Sequence, residues 1–230
     1  MLLRTSGTTS KPKVVPLTAQ GLYTGALCIG RGLSLTQGDT CLNVMPYTHI
    51  GGISCSLLAT LFTAGKVICA HSFDPGCFIE WLDVLRPTWY YAVPTIHKAV
   101  AIFARTLPAP PRHHLRLIRS GAANLADADA RELSDIFKCR VLPTYSMSEC
   151  MPIAQPPLSY DLDRPGTVGL PIASSLRIVD SGGSPLPFGQ TGEVCIRGPV
   201  VTLGYRGDET ANTTCFFGDA DSEGCRWFRT

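Results

Sequence analysis

The segment RTSGTTSKPK, residues 4–13, concentrates groups that can hold an anion. Thr5, Ser6, Thr8, Thr9 and Ser10 offer hydroxyl donors, and Lys11 and Lys13 offer positive charge. Gly7 lets the chain turn tightly enough for backbone N–H groups to face one point. The chemistry that fits is phosphate binding. A lysine about 4 Å from a phosphate is worth on the order of 4 kcal/mol at an effective dielectric of about 20. A hydrogen bond to a charged group is worth about 1.5–3 kcal/mol. One well-placed lysine therefore outweighs any single hydroxyl. Pro12 removes a donor and stiffens the loop. A generic Ser/Thr/Gly loop reads as a polar surface turn; this order, with Lys-Pro-Lys attached, favours phosphate. The loop is not of the GxxxxGK[ST] type.

Such a loop needs a scaffold, and the first two thirds of the chain predict one. Thr18 can cap a helix running to about Arg31. Residues 54–64 read as a buried helix stopped by Gly65, and 66–70 as a short strand. Asp74-Pro75 opens a helix with Phe78, Leu82 and Leu85 on one face, ending before Pro87. A strand follows over 88–92, and Pro94 begins a helix with Ile96, Val100 and Phe103 at helical spacing. Residues 107–114 read as a loop, 115–119 as a strand, 125–137 as a helix and 140–142 as a strand. This βαβα rhythm predicts an α/β fold, a mostly parallel sheet with flanking helices. Ligands of such sheets gather at the carboxyl ends of the strands. After about Pro165 the texture changes. SLRIVD (175–180), GSPLPFGQTG (183–192) and EVCIRG (193–198) read as short strands of a small β-rich subdomain. The expected division is 1–165 for the α/β core and 166–230 for the β-rich part.

Composition narrows the choice further. The 230 residues carry a net charge of +2, with 45% hydrophobic and 17% charged residues. The arginines are scattered, whereas nucleic acid or an anionic membrane demands a concentrated basic face. No apolar run reaches transmembrane length, and Leu2-Leu3 is too short for a signal-peptide core. Ten cysteines lie singly from Cys28 to Cys225 without CxxC pairs. They read as mostly buried reduced thiols of an intracellular protein. His71, His97, His113 and His114 receive no role, and no metal-ligand cluster is apparent. The Asn212-Thr213-Thr214 and Arg206-Gly207-Asp208 tripeptides are short enough to arise by chance, and that stretch reads as a surface turn.

Further pieces give the loop a context. TSGTTSKPK resembles the [ST]SGTTGxPK loop of the AMP-forming adenylating enzymes, a superfamily of acyl-CoA synthetases, luciferases and peptide-synthetase adenylation domains. MPYTHIGG (45–52) resembles its P-x-x-H-x-x-G segment, SGAANL (120–125) its SGAAPL, and YSMSE (145–149) its Y-G-x-T-E. GTVGLP (166–171), GEVCIRGP (192–199) and WFRT (227–230) resemble later signatures in the family's order. The resemblance implies ATP, Mg²⁺ and coenzyme A as ligands. Thr5, Ser6, Gly7, Thr8, Thr9 and Lys13 would cradle the β- and γ-phosphates. Glu149 would bind Mg²⁺, a hard cation suited to carboxylate and phosphate oxygens; the bland alternative is a solvated carboxylate at a helix start. Ser148, threonine in the family pattern, would meet the α-phosphate. Tyr145 would stack on adenine, or is simply a core aromatic. Gly121, Ala122 and Ala123 would wall the nucleotide, or make only a tight strand-to-helix turn. His49 would lie near the acyl carboxylate or gate its tunnel; a lone histidine beside an apolar helix is otherwise a satisfied core residue.

The activity implied is ATP-dependent conversion of a small-molecule carboxylic acid to an acyl-adenylate, then thioester formation with coenzyme A. A carrier-protein-linked adenylation domain and an inactive nucleotide-binding remnant are the alternatives. Neither nucleic acid nor a transmembrane segment is expected, and the location expected is cytoplasmic, or peroxisomal if a targeting end lies outside this chain. In the family a long stretch precedes the phosphate loop, and a smaller domain with a catalytic lysine follows the T-G-D motif. The resemblance therefore implies the middle of a larger enzyme, inactive in isolation. Two departures stand out: Ser10 and Ser146 occupy glycine positions of the family pattern. Each would cost roughly 1–2 kcal/mol if its backbone were left-handed.

Overall fold

The computed structural model describes residues 1–5, 12–160, 164–222 and 224–230. Its first element is a hairpin, in which β1 (Leu2–Arg4) pairs antiparallel with β2 (Val14–Pro16). Helix α1 (Ala19–Gly32) starts where the Thr18 hydroxyl accepts a hydrogen bond from the Gly21 N–H at 2.9 Å, a side-chain cap of the expected kind. Strand β3 (Thr40–Asn43) follows; the sequence reading leaves it unassigned. The expected helix over 54–64 begins earlier. Gly51–Leu58 winds in wide turns, with the Ala59 N–H reaching back five residues to the Ser54 carbonyl, and then tightens into Ala59–Leu61. Together these two stretches are α2.

Beyond it come β4 (Lys66–Cys69), α3 (Pro75–Val84), β5 (Trp89–Ala92), α4 (Pro94–Arg105), β6 (Leu117–Ser120), α5 (Asp127–Phe137) and β7 (Arg140–Pro143). Asp74 caps α3 by accepting from the Cys77 N–H at 2.9 Å, with Pro75 at its first position. The five strands form one parallel sheet in the order β4-β3-β5-β6-β7. Every residue of β5 and β6 is buried, as a parallel sheet covered on both faces requires. Helix α1 packs on α2, while α4 touches both α3 and α5. Right-handed crossovers and the reversal of strand order at β3 put these two groups on opposite faces.

A polar clamp ties the amino ends of the strands. Buried Asp39, just before β3, accepts from Arg116 Nε at 2.6 Å and Nη2 at 2.9 Å, from the Thr88 hydroxyl at 2.8 Å and from the Thr36 N–H at 2.8 Å. Thr88 and Arg116 immediately precede β5 and β6, and the Lys66 N–H opening β4 donates to the Asp39 carbonyl at 2.9 Å. One carboxylate thus fastens the starts of several strands.

The remaining strands are antiparallel. β8 (Tyr145–Met147), β9 (Cys150–Gln155) and β10 (Leu170–Pro171) form one sheet. β11 (Ser175–Val179), β12 (Glu193–Arg197), β13 (Phe216–Phe217) and β14 (Trp227–Arg229) form another, in the order β11-β12-β14-β13. Two expectations need correction. Residues 183–192 are a turn with a single bridge at Pro185 rather than a strand, because Pro185 and Pro187 cannot donate to a ladder. The stretch read as a surface turn contains α6 (Glu209–Cys215), capped by Asp208, which accepts from the Ala211 N–H at 3.0 Å.

Two apolar clusters hold these layers. The larger surrounds the parallel sheet, with Phe78, Trp89, Tyr90, Ile118 and Phe137 at its centre. The smaller joins Val15 of the opening hairpin and Cys150 and Ile153 of β9 to Ile196, Tyr205, Phe216 and Phe228. The first and last parts of the chain therefore share a core. Six of the ten cysteines are buried, and burial pushes the thiols of Cys139 and Cys150 up to about 12.

Candidate active site

The carboxyl ends of the parallel strands open onto a cleft of about 940 Å³, within the size range of small-molecule sites. Its position follows from topology. The strand order reverses between β3 and β5, and a sheet of this kind binds ligands in the crevice beyond the carboxyl ends at that point. Met45, Pro46, His49, Ile50 and Gly51 come from the segment after β3, and Val93, Thr95 and Ile96 from the segment after β5. Ala122 comes from the loop after β6, and Ser146, Met147, Ser148 and Glu149 from the hairpin after β7. Arg4, Thr5 and Lys13 complete the opening hairpin's side.

The floor is Tyr91, held between the start of α2 and the loop after β6. A Cβ added to Gly51 would stand 2.6 Å from the Tyr91 ring, and one added to Gly121 would stand 3.0 Å from the ring and 2.7 Å from the Thr144 methyl. Only glycine allows both backbones to approach that ring. Gly121 is thus buried behind the cleft wall, whereas Ala122 and Ala123 are exposed and Ala122 faces the cleft with φ of 66°. His49 is exposed on the apolar side, so the reading of a satisfied core histidine is ruled out.

Thr5 and Lys13 are hydrogen-bonded to each other on either side of the segment read as a phosphate loop. The Thr5 N–H donates to the Lys13 carbonyl at 3.0 Å, and the Lys13 N–H donates to the Thr5 hydroxyl at 3.3 Å. Ser6, Gly7, Thr8 and Thr9, with Ser10 and Lys11, lie outside the described residues.

Ser148 and Glu149 form the two-residue tip between β8 and β9, because Met147 is paired with Cys150. A hairpin, not a helix start, therefore carries the carboxylate. Glu149 is only 6% exposed, yet it lines the cleft. Its Oε1 accepts from the Tyr205 hydroxyl at 2.7 Å, and its carbonyl accepts from the Thr202 N–H at 2.7 Å. Among the described residues no donor reaches Oε2. Burial first, and then the bond to Glu149, hold the Tyr205 phenol above its ordinary pKa, so it stays a donor. The Lys13 ammonium lies 4.6 Å from the centroid of the same Tyr205 ring, within cation–π range. Lys13 and Glu149 are thereby brought to one side of one cleft with a single aromatic residue between them. Tyr145 lies apart from this group. It is half-buried against the smaller apolar cluster, and its hydroxyl donates to the Thr230 hydroxyl at 2.7 Å. Ser146 sits in extended β8 and is not among the residues with positive φ, so serine meets no left-handed strain there.

Several lining residues escape sequence reasoning. Arg4, Tyr205, Thr214, Cys215 and the paired Glu193 and Arg229 all face the cleft. Arg229 and Thr230 fall in the quoted WFRT segment, and Arg4 opens the quoted RTSGTTSKPK segment; Tyr205 carries no local signal. Arg4, Lys13 and Arg229 outnumber Glu149 and Glu193, which suits a polyanion. Among the described residues no group of three or more His, Cys, Asp or Glu side chains could hold a metal ion, and no helix is long and apolar enough to cross a membrane. A cation here would take one protein carboxylate and draw its other ligands from phosphate and water. That donor set fits magnesium.

Comparisons agree with this arrangement. A family model described as "AMP-binding enzyme" matches residues 1–206. The Humulus lupulus protein named "Probable CoA ligase CCL9" is 38% identical over 237 residues, covering 100% of this chain and 43% of that protein. The oxalate–CoA ligase of Arabidopsis thaliana is 35% identical over 235 residues, covering 100% of this chain and 44% of its own length. The chain thus spans less than half the length of these relatives. Among solved structures, O-succinylbenzoate coenzyme A synthetase from Bacillus subtilis, in complex with ATP and magnesium ion, superposes with a TM-score of 0.82. Its identity is 25%, over 99% of this chain and 49% of that one.

Proposed function

Because this chain belongs to the family of AMP-binding enzymes, we propose that the protein it represents activates a carboxylic acid with ATP and passes the acyl group to coenzyme A. A carboxylate oxygen of the acid attacks the α-phosphorus of ATP. The bond from that phosphorus to the bridging oxygen breaks, and pyrophosphate leaves. The thiol of coenzyme A then attacks the acyl carbon, AMP departs, and the thiol proton passes to solvent. The relatives named as CoA ligases support coenzyme A, rather than a carrier protein, as the acceptor.

The observation that carries the reading is the shared cleft. Lys13 and Glu149, far apart in sequence, face one cavity at the switch point of the sheet. Lys13 would neutralise charge building on the departing pyrophosphate, a role for preorganised charge in a partly dry site. Ser148 would donate to the α-phosphate, and Thr5 with the loop's other hydroxyls to the outer phosphates. Glu149 Oε2 would hold magnesium, which when bound supplies further positive charge to the phosphates. Gly121, Ala122, Ala123 and Tyr145 would border the base, and His49, beside Met45, Ile50 and Ile96, would face the acid. Calorimetry on this chain is expected to show ATP binding that tightens with Mg²⁺ and loses that dependence in Glu149→Gln. Absence of ATP binding, or wild-type binding indifferent to Mg²⁺, would refute the reading.

A further inference from the structure

We propose that Tyr205 is a positioning residue that couples the phosphate-loop lysine to the cation-holding carboxylate. The inference rests on the reading of the cleft given above. Among the described residues Tyr205 is the side chain in contact with both groups: its hydroxyl donates to Glu149 Oε1 at 2.7 Å, and its ring lies 4.6 Å from the Lys13 ammonium.

The segment that carries it is stitched to both partners. The Arg206 N–H donates to the Val14 carbonyl at 2.9 Å, next to Lys13, and the Thr202 hydroxyl donates to the Pro16 carbonyl at 2.7 Å. On the other side the Thr202 N–H donates to the Glu149 carbonyl at 2.7 Å. The Tyr205 backbone is pinned by Asn212, whose Oδ1 accepts from the Tyr205 N–H at 2.7 Å and whose Nδ2 donates to the Tyr205 carbonyl at 3.0 Å. Phe216 and Phe228 pack edge-on to the ring with centroids at 6.2 and 6.5 Å.

These contacts fix the phenol oxygen, and the phenol in turn fixes the carboxylate. The terminal torsion of a glutamate is broad and weakly preferred, so an untethered carboxylate would sample many orientations. With Oε1 committed to Tyr205, Oε2 is presented to the cleft. The same ring gives the Lys13 ammonium a resting place beside the carboxylate, in reach of phosphate on that side.

The test is calorimetric titration of this chain with ATP, with Mg²⁺ and with chelator, for wild type, Y205F, E149Q and the double variant. Y205F keeps the ring and removes only the hydroxyl. It is expected to weaken ATP binding with Mg²⁺ about tenfold, the scale of one hydrogen bond to a charged group, to leave binding in chelator unchanged, and to lower the melting temperature modestly because the buried Oε1 loses its donor. In the E149Q background the hydroxyl's loss is expected to have no further effect on the Mg²⁺ dependence. Asn212→Ala, which frees the Tyr205 backbone while keeping its side chain, is expected to act in the same metal-dependent sense. Wild-type Mg²⁺ dependence retained in both Y205F and Asn212→Ala would overturn the proposal alone. Equal losses with and without Mg²⁺ would do the same, by reducing Tyr205 to a packing residue. Wild type without Mg²⁺-dependent binding would sink the reading of the cleft and the proposal with it.

Discussion

Replacing Asp39 by asparagine isolates the clamp at the amino ends of the strands. Asp39 takes two hydrogen bonds from the Arg116 guanidinium, one from the Thr88 hydroxyl and two from Thr36, through its N–H and its hydroxyl. The substituted amide would keep one acceptor and turn an N–H₂ toward donors that already face inward. Breaking one side of a buried ion pair costs about 3–5 kcal/mol. Asp39's side chain is 6% exposed but Arg116's is 32% exposed, so solvent can recover part of the arginine and the lower end, about 3 kcal/mol, applies. For a chain of this length each kcal/mol moves Tm by about 2–4 °C, which gives a fall of about 6–12 °C. The exposed Arg105–Glu132 pair supplies a control: Glu132→Gln is expected to cost at most about 1 kcal/mol. Burial by itself would raise the Asp39 pKa, but the hydrogen bonds from Arg116, Thr88 and Thr36 outweigh it and hold the carboxyl below its usual range. Its contribution is therefore full above the unfolded value, about 3.9, and is lost as pH falls through the lower folded value. Thermal melts of wild type and D39N should accordingly converge below about pH 4. A Tm within about 2 °C of wild type at pH 7, or a gap that widens in acid, would refute the argument.

Two further outcomes are expected. Lys13→Ala should weaken ATP binding at least about tenfold, since a lysine near phosphate outweighs a neutral donor, and more than Thr8→Ala does; calorimetry giving the opposite order would reject the ranking. His97 is fully buried, its Nδ1 3.1 Å from the Tyr90 hydroxyl and its Nε2 without a partner among the described residues, and burial pushes it down to about 4. The unfolded chain then binds a proton between about pH 6.5 and 4 that the folded chain does not, so stability should fall by roughly 3 kcal/mol as pH drops across that window. Denaturant melts of His97→Gln should show a flatter profile there, and a parallel one would count against it.

Much of the scaffold was legible because local signals agreed with the fold. Thr18, Asp74-Pro75 and Pro94 mark helix starts by capping and by fixed φ, and the aromatic run of β5 marks a strand buried on both faces. β3 was not legible, because TCLN is short and mixes polar with apolar residues; its place is decided by pairing with β4 and β5. The 206–214 stretch misled through its Gly and Asn content, although Asp208 is an ordinary cap. In the cleft, Lys13, Ser148, Glu149 and His49 were legible as motif members. Tyr205 was not, because its importance lies in contacts with residues far along the chain, and no spacing encodes those.

The wide turns of α2 have a consequence of their own. Over Gly51–Leu58 the helix carries more residues per turn than an α-helix does. Closing this stretch into the tighter α winding at its present length would turn its first residue by on the order of 100° relative to its last. Gly51 would then leave the Tyr91 ring, and His49 would swing from the wall it occupies. The geometry of that wall is thus held by the winding of the coil as much as by the identities of its residues.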